Sequence, residues 1–402
     1  MRILQLTPRL PWPAIDGGRV VMLQVARALQ RLGAQVHVLS LNPRKQHADL
    51  ADARAALAPV TVDAVDVDTS ALAALRAVRI GVPPLVARFF TPRFARPLRE
   101  LLQSTTFDLV QVESPFLLPY VPVIRACTTA PVVLRSLNVE FRIWEQLAAH
   151  ETNPLRRTAL QAIAGSLRRY EIAHLDTCDA LVPITEEDAR EFRALGCSRP
   201  MHVLPGGVEV REPFTGETGE VAGFLGSLDY RPNQEAALWI AEELRPRLLA
   251  LMPRAELRLG GSNAPKWLRA RLAAAGLPLT EAIDDASAFL QPMRAVIAPL
   301  LSGGGMRIKI LEAMALGKPV VATTLAAAGI AVHHGEQILL ADDPDSFARE
   351  LAGLLREPSR ARGIGEAGRR LVMASYGSDA LARELLAFYE ELTQRRGVRL
   401  GA

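Results

Sequence analysis

Cysteine is scarce in this chain. Cys127, Cys178 and Cys197 are an odd number without metal-ligand spacing, which excludes a disulfide framework and a zinc module and fits reduced thiols in a cytoplasmic protein. A surplus of one charge is lacking too. With 47 basic and 43 acidic residues the formal charge is +4, too small an excess to suggest nucleic acid as a partner. No apolar run reaches bilayer length, and Pro8 and Pro11 interrupt the first one before a signal peptide could form. The expected location is cytoplasmic, with the inner face of a membrane as a peripheral alternative. Metal-binding patterns are thin. His333-His334 has no spaced carboxylate or thiol companions, and Asp66-Val67-Asp68 lies in an alternating strand pattern that supplies no further ligand. No metal and no cofactor are expected. A Walker loop is absent, and no Gly-x-Gly-x-x-Gly opens the first helix, so kinases and dehydrogenases fall away.

What is present is an alternation. A length of 402 residues with 49% hydrophobic and 22% charged content suits two globular domains. Residues 3–7 form an apolar run, followed by a Pro/Gly loop ending in Gly17-Gly18. Val20, Val21, Leu23, Val25, Ala26, Leu29 and Leu32 then recur at helical spacing until Gly33, and residues 36–41 read as the next strand. Strand, turn, helix, strand is the βαβ unit of a parallel sheet. Further strands are expected at 60–67, 107–112, 131–134, 180–184 and 202–204. A polar, turn-rich stretch at 205–220 reads as a linker between a domain of residues 1–204 and a second of residues 221–375. The second opens like the first and continues through strands at 255–259, 295–298, 319–322 and 338–341. Residues 376–402 read as a terminal helix that crosses back to the first domain. The fold class is α/β, with two doubly wound Rossmann-like domains facing each other across a cleft. In such sheets ligands bind beyond the carboxyl ends of the strands.

The loop after residues 295–298 carries the most chemistry. Gly303, Gly304 and Gly305 let a ligand approach the backbone, and a helix beginning near Met306 offers free N–H groups and a positive dipole end, a combination that suits a diphosphate. Arg307 and Lys309 fall in the first helical turn, where the dipole disfavours cations unless an anion is near. Glu312 shares a helix face with Lys309 and could accept both hydroxyls of a ribose. The same residues also suit a plain turn, with Lys309 paired to Glu312 on the surface and Arg307 solvated.

The run from Gly303 to Thr323, Gly-Gly-Gly-Met-Arg-Ile-Lys-Ile-Leu-Glu-Ala-Met-Ala-Leu-Gly-Lys-Pro-Val-Val-Ala-Thr, closely resembles the donor motif of glycosyltransferase family 4, in a branch whose glycine-rich loop carries Arg and Lys. Phe224-Leu-Gly-Ser-Leu-Asp-Tyr-Arg-Pro-Asn233 is similar to the opening of that family's donor domain. Asp342-Asp343-Pro344 with Phe347-Ala348 is similar to its closing helix. The resemblance implies the GT-B fold, a nucleoside-diphosphate sugar in the C-terminal domain and an acceptor in the N-terminal one. It also implies retention of anomeric configuration and ribose binding by Glu312. Two positions depart from the family. Gly304 stands where a sugar-contacting glutamate is usual, and Ser227 follows Gly226 where a basic pair is usual. Arg307 and Lys309, with Arg231, are expected to neutralise the pyrophosphate instead.

In the acceptor half, Gly17 and Gly18 are candidates for approach to phosphate or acceptor, a plain helix-entry turn being the alternative. Leu137 occupies the position where the family often has histidine, which leaves Glu140, Asn138 and Glu113 as polar candidates near strand ends, Glu140 being the preferred general base. The acceptor is expected to be a carbohydrate, a lipid-linked or a small-molecule hydroxyl. Arg76, Arg79, Arg88, Arg93, Arg96 and Arg99, interleaved with Phe89, Phe90 and Phe94, suit either a peripheral membrane contact or a solvated face over core aromatics. A nucleotide-sugar epimerase or phosphorylase, or a noncatalytic sugar-nucleotide sensor, are the competing functions.

Overall fold

Parallel strands buried on both faces should be near-continuous apolar runs, and those runs became strands. The computed structural model describes residues 1–400 except 15–16, 45–46, 68–81, 211, 214–218, 282, 284 and 303–305. In the first half, β1 (Arg2–Thr7), β2 (Gln35–Pro43), β3 (Thr61–Val67), β4 (Leu109–Val112), β5 (Val132–Ser136) and β6 (Ala180–Pro183) form one sheet in the order β3-β2-β1-β4-β5-β6. All pairs are parallel, with Leu6 opposite both Leu39 and Val112. The second half repeats the plan. Its strands β7 (Val221–Ser227), β8 (Glu256–Ser262), β9 (Leu279–Thr280), β10 (Ala295–Ala298), β11 (Val320–Ala322) and β12 (Leu339–Leu340) lie in the order β12-β11-β10-β7-β8-β9. Counted from each sheet's own first strand, both orders are 3-2-1-4-5-6, the doubly wound arrangement.

Packing divides the chain into one unit of Met1–Pro205 with Leu381–Ala402 and another of Gly206–Ala380. The terminal helix Ser378–Leu400 therefore belongs mostly to the first unit, where Leu381, Ala382, Leu385, Tyr389 and Leu392 enter the core beside Ile3, Val36, Val133 and Val182. Two local expectations change. Residues 202–204 do not form a strand, because Met201 makes only an isolated bridge to Leu181. The strand Leu279–Thr280, two residues long, is too short to show any periodicity.

One buried polar network shapes the first unit. The guanidinium of Arg135 on β5 donates to Glu113 Oε2 at 3.0 Å, and both side chains are all but inaccessible, at 1% and 0% exposure. Glu113 Oε1 accepts from Gln5 Nε2 at 2.6 Å and from Gln111 Nε2, and the Tyr389 hydroxyl donates to Gln111 Oε1 at 2.6 Å. Gln5 Nε2 also reaches the Met22 carbonyl in helix Gly17–Arg31. The network thus ties three strands to two helices. Glu113 serves the core, which explains a carboxylate at a strand end without any catalytic role. Among the described residues Glu113 is the hydrogen-bonded partner of Arg135, so Glu113→Ala would leave a buried cation uncompensated and should cost about 3–5 kcal/mol. Tyr389→Phe removes one hydrogen bond and should cost about 1 kcal/mol. Urea unfolding monitored on the first unit measures both.

Candidate functional site

In the second unit the chain after β10 enters the loop that leads to helix Ile308–Ala315. Gly303, Gly304 and Gly305 lie outside the described residues. The helix begins at Ile308, two residues later than expected, with Arg307 at the N-cap and no side chain capping it. Its first N–H groups are therefore without a capping side chain. Gly317, with φ +72°, supplies the left-handed turn that ends the helix before β11.

Neither cation lies on the surface. Arg307 is 8% exposed, and burial lowers its proton affinity, opposed by Tyr230. Lys309 keeps some exposure along the residue, but its ammonium is crowded. Nζ donates to Asn233 Oδ1 at 2.7 Å and lies 4.9 Å from the centre of the Phe224 ring. A Cβ at Gly226 would come within 3.0 Å of both Nζ and the Asn233 amide. Desolvation, with Arg307 adding to it and Glu312 opposing, pushes the Lys309 pKa down to about 7. The surface pair of Lys309 with Glu312 is thus replaced by a hydrogen bond to Asn233, while half-buried Glu312 stays on the same segment and acts on Lys309 through its charge.

Asn233 was not among the expected site residues. It lies in the first turn of helix Arg231–Trp239, 6% exposed, and its Nδ2 donates to the Ser227 carbonyl at the end of β7 at 2.7 Å. Only its position in the segment similar to the donor-domain opening hinted at it. Ser227 itself donates its hydroxyl to Asp229 at 2.6 Å. Arg231 is 83% exposed and pairs with Glu235 one turn on. Glu235 in turn accepts from Ser302 at 2.6 Å, tying this helix to the loop before the three glycines. Met306 is half-buried just ahead of the helix.

In the first unit, helix Glu140–His150 follows β5 and lacks a side-chain cap of its own. Glu171, from helix Pro154–His174, caps it remotely, accepting from the amides of Glu140 at 3.1 Å and Phe141 at 2.9 Å. Burial and the neighbouring Glu171 push the Glu140 carboxyl up to about 8, with Arg9 opposing; burial also raises Glu171. Asn138 is half-buried in the turn between, where its carbonyl accepts from the Ser136 hydroxyl at 2.6 Å. Gly17 and Gly18 open helix Gly17–Arg31, and a Cβ at Gly17 would meet nothing within 4 Å.

Of the basic run, Arg76 and Arg79 lie outside the described residues. Phe94 is fully buried against Tyr120, Phe89 stacks on Phe116, and Arg88 lies over Phe89 at 5.0 Å. Arg93, Arg96 and Arg99 are exposed, Arg96 pairing with Glu100. Asp66 accepts from Asn42 at 2.9 Å, and Asp68 lies outside the described residues. No described helix is long and apolar enough to cross a membrane.

The buried ammonium opposes folding in a pH-dependent way. Below about 7 it is charged in both states and the penalty is full; as pH rises toward the ordinary value of 10.5 the folded form sheds the proton and the penalty fades. Lys309→Met should therefore stabilise the second unit more near pH 6 than near pH 9, by a difference on the order of 2 kcal/mol. Chemical denaturation at the two pH values reads this directly.

Known proteins converge on these same two units. A model described as Glycosyltransferase Family 4 matches residues 15–212, and one described as Glycosyl transferases group 1 matches residues 219–357. An uncharacterized 44.6 kDa protein in the cps region of Klebsiella pneumoniae is 24% identical over 188 residues, 44% of this chain, so the match spans 48% of that relative's length. Phosphatidyl-myo-inositol mannosyltransferase of Mycolicibacterium smegmatis is 24% identical over 390 residues, covering 92% of this chain and 89% of that one. The structure of Anabaena HepE in complex with UDP-glucose superposes with a TM-score of 0.65 at 15% identity, over 97% of this chain and 100% of that chain. With both halves matched in sequence and the two doubly wound sheets matched in structure, this chain belongs to glycosyltransferase family 4 and is a glycosyltransferase of the GT-B fold.

Proposed function

We propose that this chain is a retaining transferase that moves a sugar from a nucleoside diphosphate to a carbohydrate, lipid-linked or small-molecule hydroxyl. The observation that carries the proposal is the desolvation of two cations at the start of one helix, Arg307 and Lys309, the Lys309 ammonium having the neutral Asn233 amide as its hydrogen-bond partner among the described residues and Glu312 as the nearby carboxylate that acts on it. Buried charge is costly unless something compensates it. A diphosphate would compensate the ammonium of Lys309, with the planar fork of Arg307 and the N–H groups of residues at the helix start as further donors to it. Glu312 is proposed to accept the ribose hydroxyls, and the sequence Gly303-Gly304-Gly305 carries no side chain that would obstruct a diphosphate. Ser227 at the end of β7 and Arg231 at the start of the following helix are proposed as further donor contacts.

In the reaction so proposed, the bond from the sugar's anomeric carbon to the diphosphate oxygen breaks, and its electron pair leaves with the diphosphate. The acceptor oxygen bonds to the same face of that carbon, and its proton passes to the leaving phosphate oxygen. Arg307 and Lys309 stabilise the negative charge that grows on the leaving group, so they serve catalysis as well as binding. With cations of its own at that place, the site is proposed to work without a metal. Glu140, its carboxyl pushed up to about 8, is mostly protonated at neutral pH. It can act as general base only on the alkaline side, and near pH 7 it offers the acceptor a hydrogen-bond donor. Gly17, Gly18 and Asn138 complete the proposed acceptor side of the first unit. The Anabaena protein's complex with UDP-glucose makes uridine-linked hexoses the first donors to try, and the mycobacterial relative's name as a mannosyltransferase adds mannose to the sugars to test.

Thermal-shift screening against UDP, GDP, ADP and dTDP and their sugars should raise the melting midpoint for one base above the others. Lys309→Ala and Arg307→Ala should each weaken that ligand and lower kcat by about 100-fold. A loss confined to affinity, with kcat intact, would contradict the catalytic role. The proton acceptor is assigned by the pH profile. If Glu140 is the base, turnover climbs through about pH 8 and Glu140→Gln abolishes the climb; a profile flat there in both proteins assigns the proton to the phosphate.

A further inference from the structure

Two lysines of the second unit have desolvated ammonium groups, with pKa values lowered to about 8 at Lys318 and about 7 at Lys309, and their partners differ. Lys318 is 4% exposed and donates to two backbone carbonyls, those of Gln291 and Met293, the latter at 2.9 Å. Its protein partners suit an ammonium. Lys309, with three N–H donors of its own, has among the described residues a single protein acceptor, the neutral amide oxygen of Asn233, with the Phe224 ring beside it.

That acceptor is itself held fixed. Asn233 spends its Nδ2 on the carbonyl of Ser227, which settles which end of the amide faces the lysine. Gly226 leaves the space in which both groups sit, and β7 and β8 approach so closely here that a Cβ at Gly261 would lie 2.4 Å from the Gly226 carbonyl oxygen. The charged groups acting on the ammonium, Arg307 and Glu312, both lie on its own segment. From the elements packed against it come Phe224, Gly226 and Asn233, none of which titrates, while Glu235 on the Asn233 helix is engaged with Arg231 and Ser302. An aspartate is nearly isosteric with asparagine and would satisfy the lysine far better. The neutral side chain withholds that satisfaction.

We infer that Asn233 is the positioning residue of the donor site: it fixes the direction of the Lys309 ammonium through a neutral amide, so that the countercharge is supplied by the incoming diphosphate. The inference rests on the donor reading of this segment and adds a consequence to it. In the ligand-free protein Lys309 gives up its proton near pH 7. A bound diphosphate draws that proton back, so donor binding on the alkaline side takes up a proton from solvent.

The test is calorimetric titration near pH 8 with whichever of UDP, GDP, ADP or dTDP stabilises the parent most, repeated in two buffers of different ionisation enthalpy to count protons. At that pH the terminal phosphate of the ligand has already lost its proton, so uptake reports the protein. The parent should take up a large fraction of one proton. Asn233→Asp supplies a built-in countercharge, so it should abolish the uptake and weaken binding by about tenfold or more. In a Lys309→Ala background the further effect of Asn233→Asp should shrink to little, because the amide acts through the lysine. Asn233→Asp binding with the parent's affinity and proton uptake overturns the positioning role. So does a penalty that persists undiminished without Lys309. If Asn233→Asp folds poorly, Asn233→Ser, which keeps a neutral acceptor, replaces it: retained proton uptake with modestly weaker binding supports the proposal, and loss of uptake overturns it. Full nucleotide affinity in Lys309→Ala alone would instead overturn the donor reading, and the two failures are thereby told apart.

Discussion

The second unit depends on how closely backbones approach at the carboxyl end of β7. Gly226 and Gly261 stand opposite each other on paired strands; a Cβ at Gly261 would strike the Gly226 carbonyl, and the space over Gly226 is filled by an ammonium and an amide that come from two different helices. Everything assigned to the donor follows from that crowding. Water is displaced from the Lys309 ammonium, its proton is held less tightly, and an anion is the partner proposed to restore it. A larger residue at Gly226 would displace the ammonium and so change a site whose chemistry it never touches.

Polar groups in the first unit do the opposite work. Arg135, Glu113, Gln111, Gln5 and Tyr389 satisfy one another in the core, and the Glu113 carboxylate is consumed by structure. Glu140 and Glu171 lie nearer the turn after β5, where one carboxylate caps the helix that the other begins. The two units share a sheet order and differ in what they place at their strand ends: an ammonium held by a neutral amide in one, a carboxyl pushed above the usual range in the other. That division suits a donor that brings negative charge and an acceptor that brings a hydroxyl.

The alternation of strands and helices was legible because doubly buried parallel strands are unbroken apolar runs, and the glycines that interrupt them mark real turns. Arg307 and Lys309 stood out in the sequence because cations at a helix start contradict the local field. What stayed hidden depends on separation along the chain. Asn233 meets Lys309 across 76 positions, Glu140 meets Glu171 across 31, and Tyr389 meets Gln111 across 278. No local pattern encodes such meetings. The brief strand Leu279–Thr280 escaped for the opposite reason, having too few residues for a period, and residues 202–204 were apolar enough to suggest a strand that only one bridge realises.

The terminal helix has a consequence for the order of events during synthesis. The core of the first unit includes Leu381, Leu385, Tyr389 and Leu392, residues translated after the whole of Gly206–Ala380, whereas the second unit is one uninterrupted stretch of chain. Domains usually mature in the order in which they leave the ribosome. Here the half that emerges first must wait for the last, and the half that emerges second is the first able to close. Until then the apolar surface that Leu381, Leu385 and Leu392 cover stays open, and Gln111 lacks its tyrosine.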